Sequence, residues 1–269
     1  MSTVGFIGGG RVARILIGGW IHAGSLPESV LVTEPDDTAS ARLTTLAGRS
    51  LRVPLEVAAA ADIVLLALHP PHIPAMLLAI RPLLTPRAIL VSLAPKITLE
   101  QLTAATGTLR TARVIPNAPS IVGRGYNPVA FGPGLDAPSR ATVLGLFDTL
   151  GTTPEVNERD LEAFAILTAM GPTYFWPQFQ ALRDVARGLG LSPAAVDAGM
   201  NAMLDGAVAT LLNGGLTAGE VMDLVPVKPL IDKEPGLVAM YHELLPPLHA
   251  KITPAAATQA ASASAPHRG

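Results

Sequence analysis

Residues 3–19 read Thr3-Val-Gly-Phe-Ile-Gly-Gly-Gly-Arg-Val-Ala-Arg-Ile-Leu-Ile-Gly-Gly19. A short apolar run, Val4 to Ile7, meets three glycines, and an apolar segment with helical character follows at once. The spacing Gly8-x-Gly10-x-x-Ala13 is what a strand, a turn and a helix need in order to hold a dinucleotide. Gly8 permits a tight turn, and Gly10 permits the backbone to approach a pyrophosphate. Ala13 keeps the helix close to the sheet, and the amides of Arg11 and Val12 at the helix start face the anion. Glycine-rich turns are common, so the motif draws its weight from its position between strand and helix.

Composition narrows the classes. The 269 residues are 49% hydrophobic and 15% charged, which describes a globular chain of one large or two ordinary domains. A formal net charge of −2 offers no electrostatic reason to expect nucleic acid or an anionic membrane as partner. The chain has no cysteine, which excludes disulfides, thiol nucleophiles and thiolate metal sites and is compatible with a cytoplasmic protein. The longest apolar run, Val57 to Leu68, contains Asp62 and is far shorter than the ~20 residues a spanning helix requires. No His, Asp and Glu residues stand at metal-ligand spacing, and no Ser, His and Asp arrangement points to a hydrolase.

Outward from the opening turn, Arg11 to Trp20 reads as a helix and Ser29 to Thr33 as a second strand. Glu34 closes that strand 26 residues past Gly8, where a dinucleotide fold places the acid that bonds the adenosine ribose. Such an acid repels the extra phosphate of NADP and favours NAD. It reads equally as a loop acid beside Asp36 and Asp37, and Arg11 or Arg42 offers charge for a phosphate. Further strands follow at Asp62–Leu68, Ala88–Ser92 and Thr111–Ile115, separated by helical segments at His72–Leu83 and after the capping box Thr98-x-x-Gln101. This alternation predicts an α/β fold with a Rossmann-type parallel sheet. Ligands of such sheets lie at the carboxyl ends of the strands. Those ends carry Gly8–Ala13, Glu34, Leu68, His69, Pro70, Ala94 and Asn117.

Beyond about Asp160 the strands stop. Helices are expected over Leu161–Met170, Tyr174–Leu189, from Ser192-Pro193 to Leu212, after Thr217-x-x-Glu220, and over Leu237–Ile252. Three parts result: residues 1–158 as the dinucleotide-binding domain, 159–253 as an all-helical domain for dimerisation and substrate, and 254–269 as a disordered tail.

Four segments together resemble the pyrroline-5-carboxylate reductase family: TVGFIGGGRVA, LALHPPHIP, ARVIPNAPSIVGRG and AMGPTYF. The resemblance covers about residues 3 to 252, and its most specific element is the PNxPxxVxxG stretch that begins at Pro116. It implies an N-terminal nucleotide domain, a helical domain that dimerises by interleaving, and NAD(P)H reduction of the C=N bond in a five-membered cyclic imine. The departures are specific. The family's AVKP lysine is His69, its PNTP threonine is Ala118, and SGSGPAY becomes Thr168-Ala-Met-Gly-Pro-Thr-Tyr174. The family's SPGGTT loop is replaced by Pro226-Val-Lys-Pro-Leu-Ile-Asp232.

The candidate catalytic residues are His69, Asn117, Thr173, Tyr174 and Lys228. His69 suits a ribose contact or an acid role, or it is an ordinary loop histidine. Asn117 offers an amide to the cofactor or substrate, or it shapes a proline-rich turn. Thr173 and Tyr174 offer hydroxyls beside a Gly-Pro helix start, or they belong to a capped, half-buried helix. Lys228 offers a point charge to an acidic substrate, or it is a solvated lysine. The leading expectation is an NAD- or NADP-dependent imine reductase acting as a homodimer. The alternatives are a non-catalytic nucleotide sensor and an oxidoreductase for a different small acid.

Overall fold

A computed structural model describes residues 2–254. The expected disordered tail lies outside the described residues from 255 onward. The chain divides into two compact units, one made of the residues up to Met170 together with those from Leu248, the other of Gly171–Pro247.

The first unit is built on strands β1 (Val4–Ile7), β2 (Val30–Thr33), β3 (Ile63–Leu66), β4 (Ile89–Ser92), β5 (Thr111–Val114) and β7 (Val129–Phe131), in the order β2-β1-β3-β4-β5-β7. The pairings from β2 to β5 are parallel, and β7 runs antiparallel to β5 at one edge. A two-residue strand β6 (Gly125–Tyr126) pairs with β8 (Gly151–Thr152) apart from this sheet. The central strands β1 and β3 carry no polar side chain because both faces are covered. Alternation sends Ile63 and Leu65 of β3 into one core cluster with Phe6, Leu16 and Val91. The intervening Val64 and Leu66 enter the other, with Ile73, Leu77 and Leu102.

Helices α1 (Arg11–His22), α2 (Asp37–Ala47) and α6 (Ala137–Phe147) supply side chains to the first cluster. The short α3 (Leu55–Ala59), α4 (Ile73–Ile80) and α5 (Leu99–Thr106) supply the second. The segment expected as one helix over His72–Leu83 is a 3₁₀ turn, Pro70–His72, followed by α4. Prolines at the first positions of both explain the break. The expected helix over Leu161–Met170 divides into α7 (Leu161–Phe164) and a π-helical turn, Ala165–Ala169. Leu161 and Ala165 bury against Ile115, Ala130 and Ile252, so this stretch belongs to the first unit.

The glycine pair near the end of α1 has a packing reason. A Cβ on Gly19 would stand 2.3 Å from the carbonyl oxygen of Ser120. Helix α1 therefore lies directly on the 3₁₀ turn Ala118–Val122 that follows Asn117. Beside it, the buried Trp20 donates its indole N–H to the Leu146 carbonyl at 2.6 Å and meets Phe6 edge-on.

The second unit contains α8 (Gly171–Gly188), α9 (Pro193–Asn213), α10 (Ala218–Asp223) and α11 (Glu234–Ile252) up to Pro247. Arg183 of α8 pairs with Asp197 of α9 at 2.8 Å. The capping box expected at Thr217 forms with Glu220. Few of the unit's apolar side chains are buried: Val196 is, while Trp176, Leu189, Leu212, Val227 and Leu244 are exposed. No described helix is long and apolar enough to cross a membrane.

Replacing Gly19 with Ala is expected to cost about 1–3 kcal/mol, because the added methyl must displace the Ser120 backbone. Urea unfolding of both proteins measures it, and an unchanged midpoint would show that the turn gives way freely.

Candidate active site

The glycine turn begins where β1 ends. Gly8 has φ of +102°, and its N–H donates to the Thr33 carbonyl at 2.9 Å, which joins the turn to the end of β2. A Cβ there would also stand 2.7 Å from the carbonyl oxygen of Ala67, so only glycine fits. Gly10 occupies the N-cap of α1, and nothing lies within 4 Å of where its Cβ would be. Helices α2, α5, α6 and α9 are capped by the side chains of Asp36, Thr98, Asp136 and Ser192. Helix α1 has no side-chain cap and no acid in its first turn. An open 12-residue helix with unoccupied space over its capping glycine fits a bound pyrophosphate.

Glu34 is fixed at the end of β2 by backbone amides. Its Oε2 accepts from Gly9 N–H at 2.7 Å, and its Oε1 accepts from Asp36 N–H at 2.8 Å. The half-buried carboxylate lines a cleft of about 830 Å³ together with Ile7, Gly8, Thr33, Val53, Leu68 and His72. Each oxygen keeps a second lone pair that can accept a ribose hydroxyl. Beside it lies a smaller depression of about 210 Å³ bounded by Gly9, Gly10, Arg11, Arg14, Arg42 and His69. One face of the glycine turn therefore carries a fixed anion, and the other carries three arginines. These two surfaces suit the ribose and the phosphates of a dinucleotide, respectively.

The loops after β3, β4 and β5 come next along the sheet edge. His69 is exposed at the start of the Pro70–His72 turn, and its carbonyl accepts from His72 N–H at 2.9 Å. Ala94 is buried after β4. Two residues on, Lys96 adopts φ of +75°, the one positive value among the described non-glycine residues. An L-residue there costs about 1–2 kcal/mol. Its N–H donates to Glu162 Oε1 at 3.1 Å. That same oxygen accepts from Arg113 Nη2 at 2.5 Å, and both side chains are almost wholly buried. Arg113 Nη1 reaches Glu158 Oε1 at 3.0 Å, and Leu99 N–H donates to the same oxygen at 2.7 Å. Lys96 and Glu162 carry no local sequence signal of these contacts. A charged residue inside a short buried strand is the signal that marks Arg113.

Asn117 is buried, and its amide bonds to protein. Its Nδ2 donates to the Thr168 carbonyl at 3.1 Å, and its Oδ1 accepts from Tyr126 N–H at 3.1 Å. Asn127 supports the same turn by accepting from Ser120 Oγ at 2.7 Å. The side chain thus ties the end of β5 to the π turn at 165–169, a feature common at functional sites.

The remaining candidates belong to the second unit. Thr173 is exposed in the first turn of α8, and Tyr174 is half-buried with its ring edge-on to Tyr241 at 5.8 Å. Burial, and secondarily the Tyr241 hydroxyl, raise the Tyr174 phenol above its ordinary pKa, so at neutral pH it keeps its proton. Lys228 is exposed and borders a cavity of about 570 Å³ with Val221, Val225, Leu230, Glu234 and Leu237.

Known proteins bear on this arrangement. A family model described as "NADP oxidoreductase coenzyme F420-dependent" matches residues 3–96. A pyrroline-5-carboxylate reductase from Corynebacterium melassecola is 29% identical over 226 residues, 82% of this chain and 84% of that one. One from Arabidopsis thaliana is 30% identical over 190 residues, 69% of each chain. Among solved structures, a Plasmodium falciparum pyrroline carboxylate reductase with NADP bound superposes with a TM-score of 0.71 at 20% identity, covering 98% of both chains. A Coxiella burnetii pyrroline-5-carboxylate reductase gives 0.65 at 24% identity, covering 98% of this chain and 99% of that one. The glycine turn, the strand ends and the retained PNxPxxVxxG and Gly-Pro-x-Tyr segments thus sit in one shared fold, and the chain belongs to the pyrroline-5-carboxylate reductase family.

Proposed function

We propose that the protein is an NAD(P)H-dependent reductase that reduces the C=N bond of a small cyclic imine carrying a carboxylate, as the names of its relatives indicate for them. What carries this reading is the coincidence of family membership with an uncapped α1 and a fixed Glu34 carboxylate on the two sides of the glycine turn. The reduced nicotinamide supplies the hydride. The chain's own groups bind and orient. The amides from Gly10 to Ala13 and the side chains of Arg11, Arg14 and Arg42 take the pyrophosphate. Glu34 takes the adenosine ribose with Leu68 beside it, His69 stands with the arginines at the phosphates, and Pro70, Ala94 and Asn117 border the nicotinamide end. The substrate nitrogen is protonated as an iminium before reduction, so a dedicated acid is not obligatory. His69 carries a donor group in the first unit, and Thr173, Tyr174 and Lys228 carry two hydroxyls and an ammonium in the second. The first unit holds the cofactor, and the second, Gly171–Pro247, serves substrate and dimer contacts. A cytoplasmic location, where reduced nicotinamide is supplied, goes with this chemistry.

The assembly we propose is a homodimer through the helical unit. A unit that leaves Trp176, Leu189, Leu212 and Leu244 exposed lacks a core of its own, and a second copy presents matching apolar faces. Light scattering after gel filtration is expected to give about twice the chain mass. A monomer at micromolar concentration would remove the proposal.

Adding 1-pyrroline-5-carboxylate to enzyme and reduced cofactor is expected to consume the cofactor with a turnover of roughly 1–1,000 per second. The same assay covers six-membered imines, open-chain imines and oxo acids. Turnover confined to oxo acids would assign a different oxidoreductase. Tight cofactor binding with no turnover on any of them would assign a sensor.

Cofactor choice follows from Glu34. NADH is expected to bind more tightly than NADPH, and Glu34→Ser to move the ratio toward NADPH by about tenfold, since it removes a repelling charge beside three arginines. Titration of both cofactors reads it, and tighter NADPH binding by the unaltered protein would contradict the assignment.

A further inference from the structure

We propose that Lys96 is a specificity-determining residue, the cation that receives the substrate carboxylate, an inference that rests on the imine-reductase reading above. Three observations meet at this residue. Its backbone is left-handed, with φ of +75°, where glycine would sit without strain and a side chain is disfavoured. A side chain retained at such a position calls for a use.

The strained backbone is also held firmly. The Lys96 N–H is taken by Glu162 Oε1 at 3.1 Å, and that carboxylate is gripped by Arg113 Nη2 at 2.5 Å out of contact with water. The point at which the side chain leaves the main chain is thus set by a buried ion pair and not by a loose loop. Lys96 itself is half-buried, and none of the ion pairs among the described residues involves its ammonium.

The third observation is place. Arg11, Arg14 and Arg42 gather beside the glycine turn, and Arg52 joins Glu34 along the cleft at the end of β2. With phosphates and ribose accounted for there, the reacting end of the cofactor faces the carboxyl ends of β3, β4 and β5. The loops at those ends contribute Leu68–Pro70, Ala94–Lys96 and Pro116–Ala118. Lys96 is the one lysine or arginine among them. A flat imine ring presented to that edge brings its carboxylate to a loop whose one fixed charge is this ammonium.

Steady-state kinetics on the full-length enzyme tests the assignment with 1-pyrroline-5-carboxylate and with 1-pyrroline, which lacks the carboxylate. Lys96→Met is expected to raise KM for the acid by about 10–100-fold, with kcat, the KM for 1-pyrroline and the KM for NADH nearly unchanged. Lys96→Arg keeps most of the preference for the acid. Lys96→Gly loses the preference to the same extent yet melts at a higher temperature, because the backbone strain is gone, and this separates charge from folding. An unaltered preference in Lys96→Met, or a loss carried by Lys228→Met in its place, would overturn the inference. If the unaltered enzyme reduces neither imine, the proposed function itself fails, and the inference goes with it.

Discussion

A guanidinium cut off from water holds the sheet edge together. Arg113 extends from β5 to Glu162 and Glu158, and those two carboxylates in turn take the amides of Lys96 and Leu99. One buried cation thus joins β5, the loop after β4, the start of α5 and the segment leading into α7. Desolvating such a group costs several kcal/mol, and a well-packed apolar substitute is often no less stable. Its value lies in geometry. Losing either Arg113 or Glu162 would strand the other in a dry interior, at about 3–5 kcal/mol. The loop after β4 is therefore held to a single conformation, including a residue that would leave the left-handed region if released. Arg113 Nε remains buried without a partner among the described residues, a further sign that position took precedence over stability.

The same economy of charge appears at the other end of the sheet edge. Glu34 spends one lone pair on each of two backbone amides, which fixes its orientation before any ligand arrives. Three arginines stand across the glycine turn from it. Exposed arginines alone would attract any phosphate, including a third one on the adenosine ribose. A fixed carboxylate beside them opposes a further phosphate at that place, which is the physical ground of the proposed cofactor preference.

What could be read from the chain and what could not divide along a physical line. The glycine turn, the alternation of strands and helices, the capping boxes at Thr98 and Thr217 and the proline start at Ser192-Pro193 all act within a few residues. They were legible for that reason. The antiparallel β7 depends on pairing with β5, and the Lys96 backbone on a carboxylate 66 residues away. Neither leaves a local trace. Asn117 shows the intermediate case. Its motif marked it as special, but only the fold revealed that its amide bridges Tyr126 and Thr168. The change from strands to helices is visible near residue 158, yet Leu161 and Ala165 still pack with Ile115 because burial, not helical propensity, draws the boundary of the unit.

The substituted loop at 226–232 gives these particulars a common direction. Pro226 and Pro229 cannot donate backbone hydrogen bonds, and the segment has no serine or threonine hydroxyl. A carboxylate that relied on small residues and hydroxyls at this loop would find few donors left. Lys228 remains, but it is exposed and carries the rotamer freedom of a surface lysine, which must be given up on binding. A cation on a loop clamped by a buried ion pair starts from a fixed backbone position. For recognising a small anion, the rigid edge of the nucleotide-binding sheet is the better-prepared surface, and it can take over the task without altering how the cofactor is held.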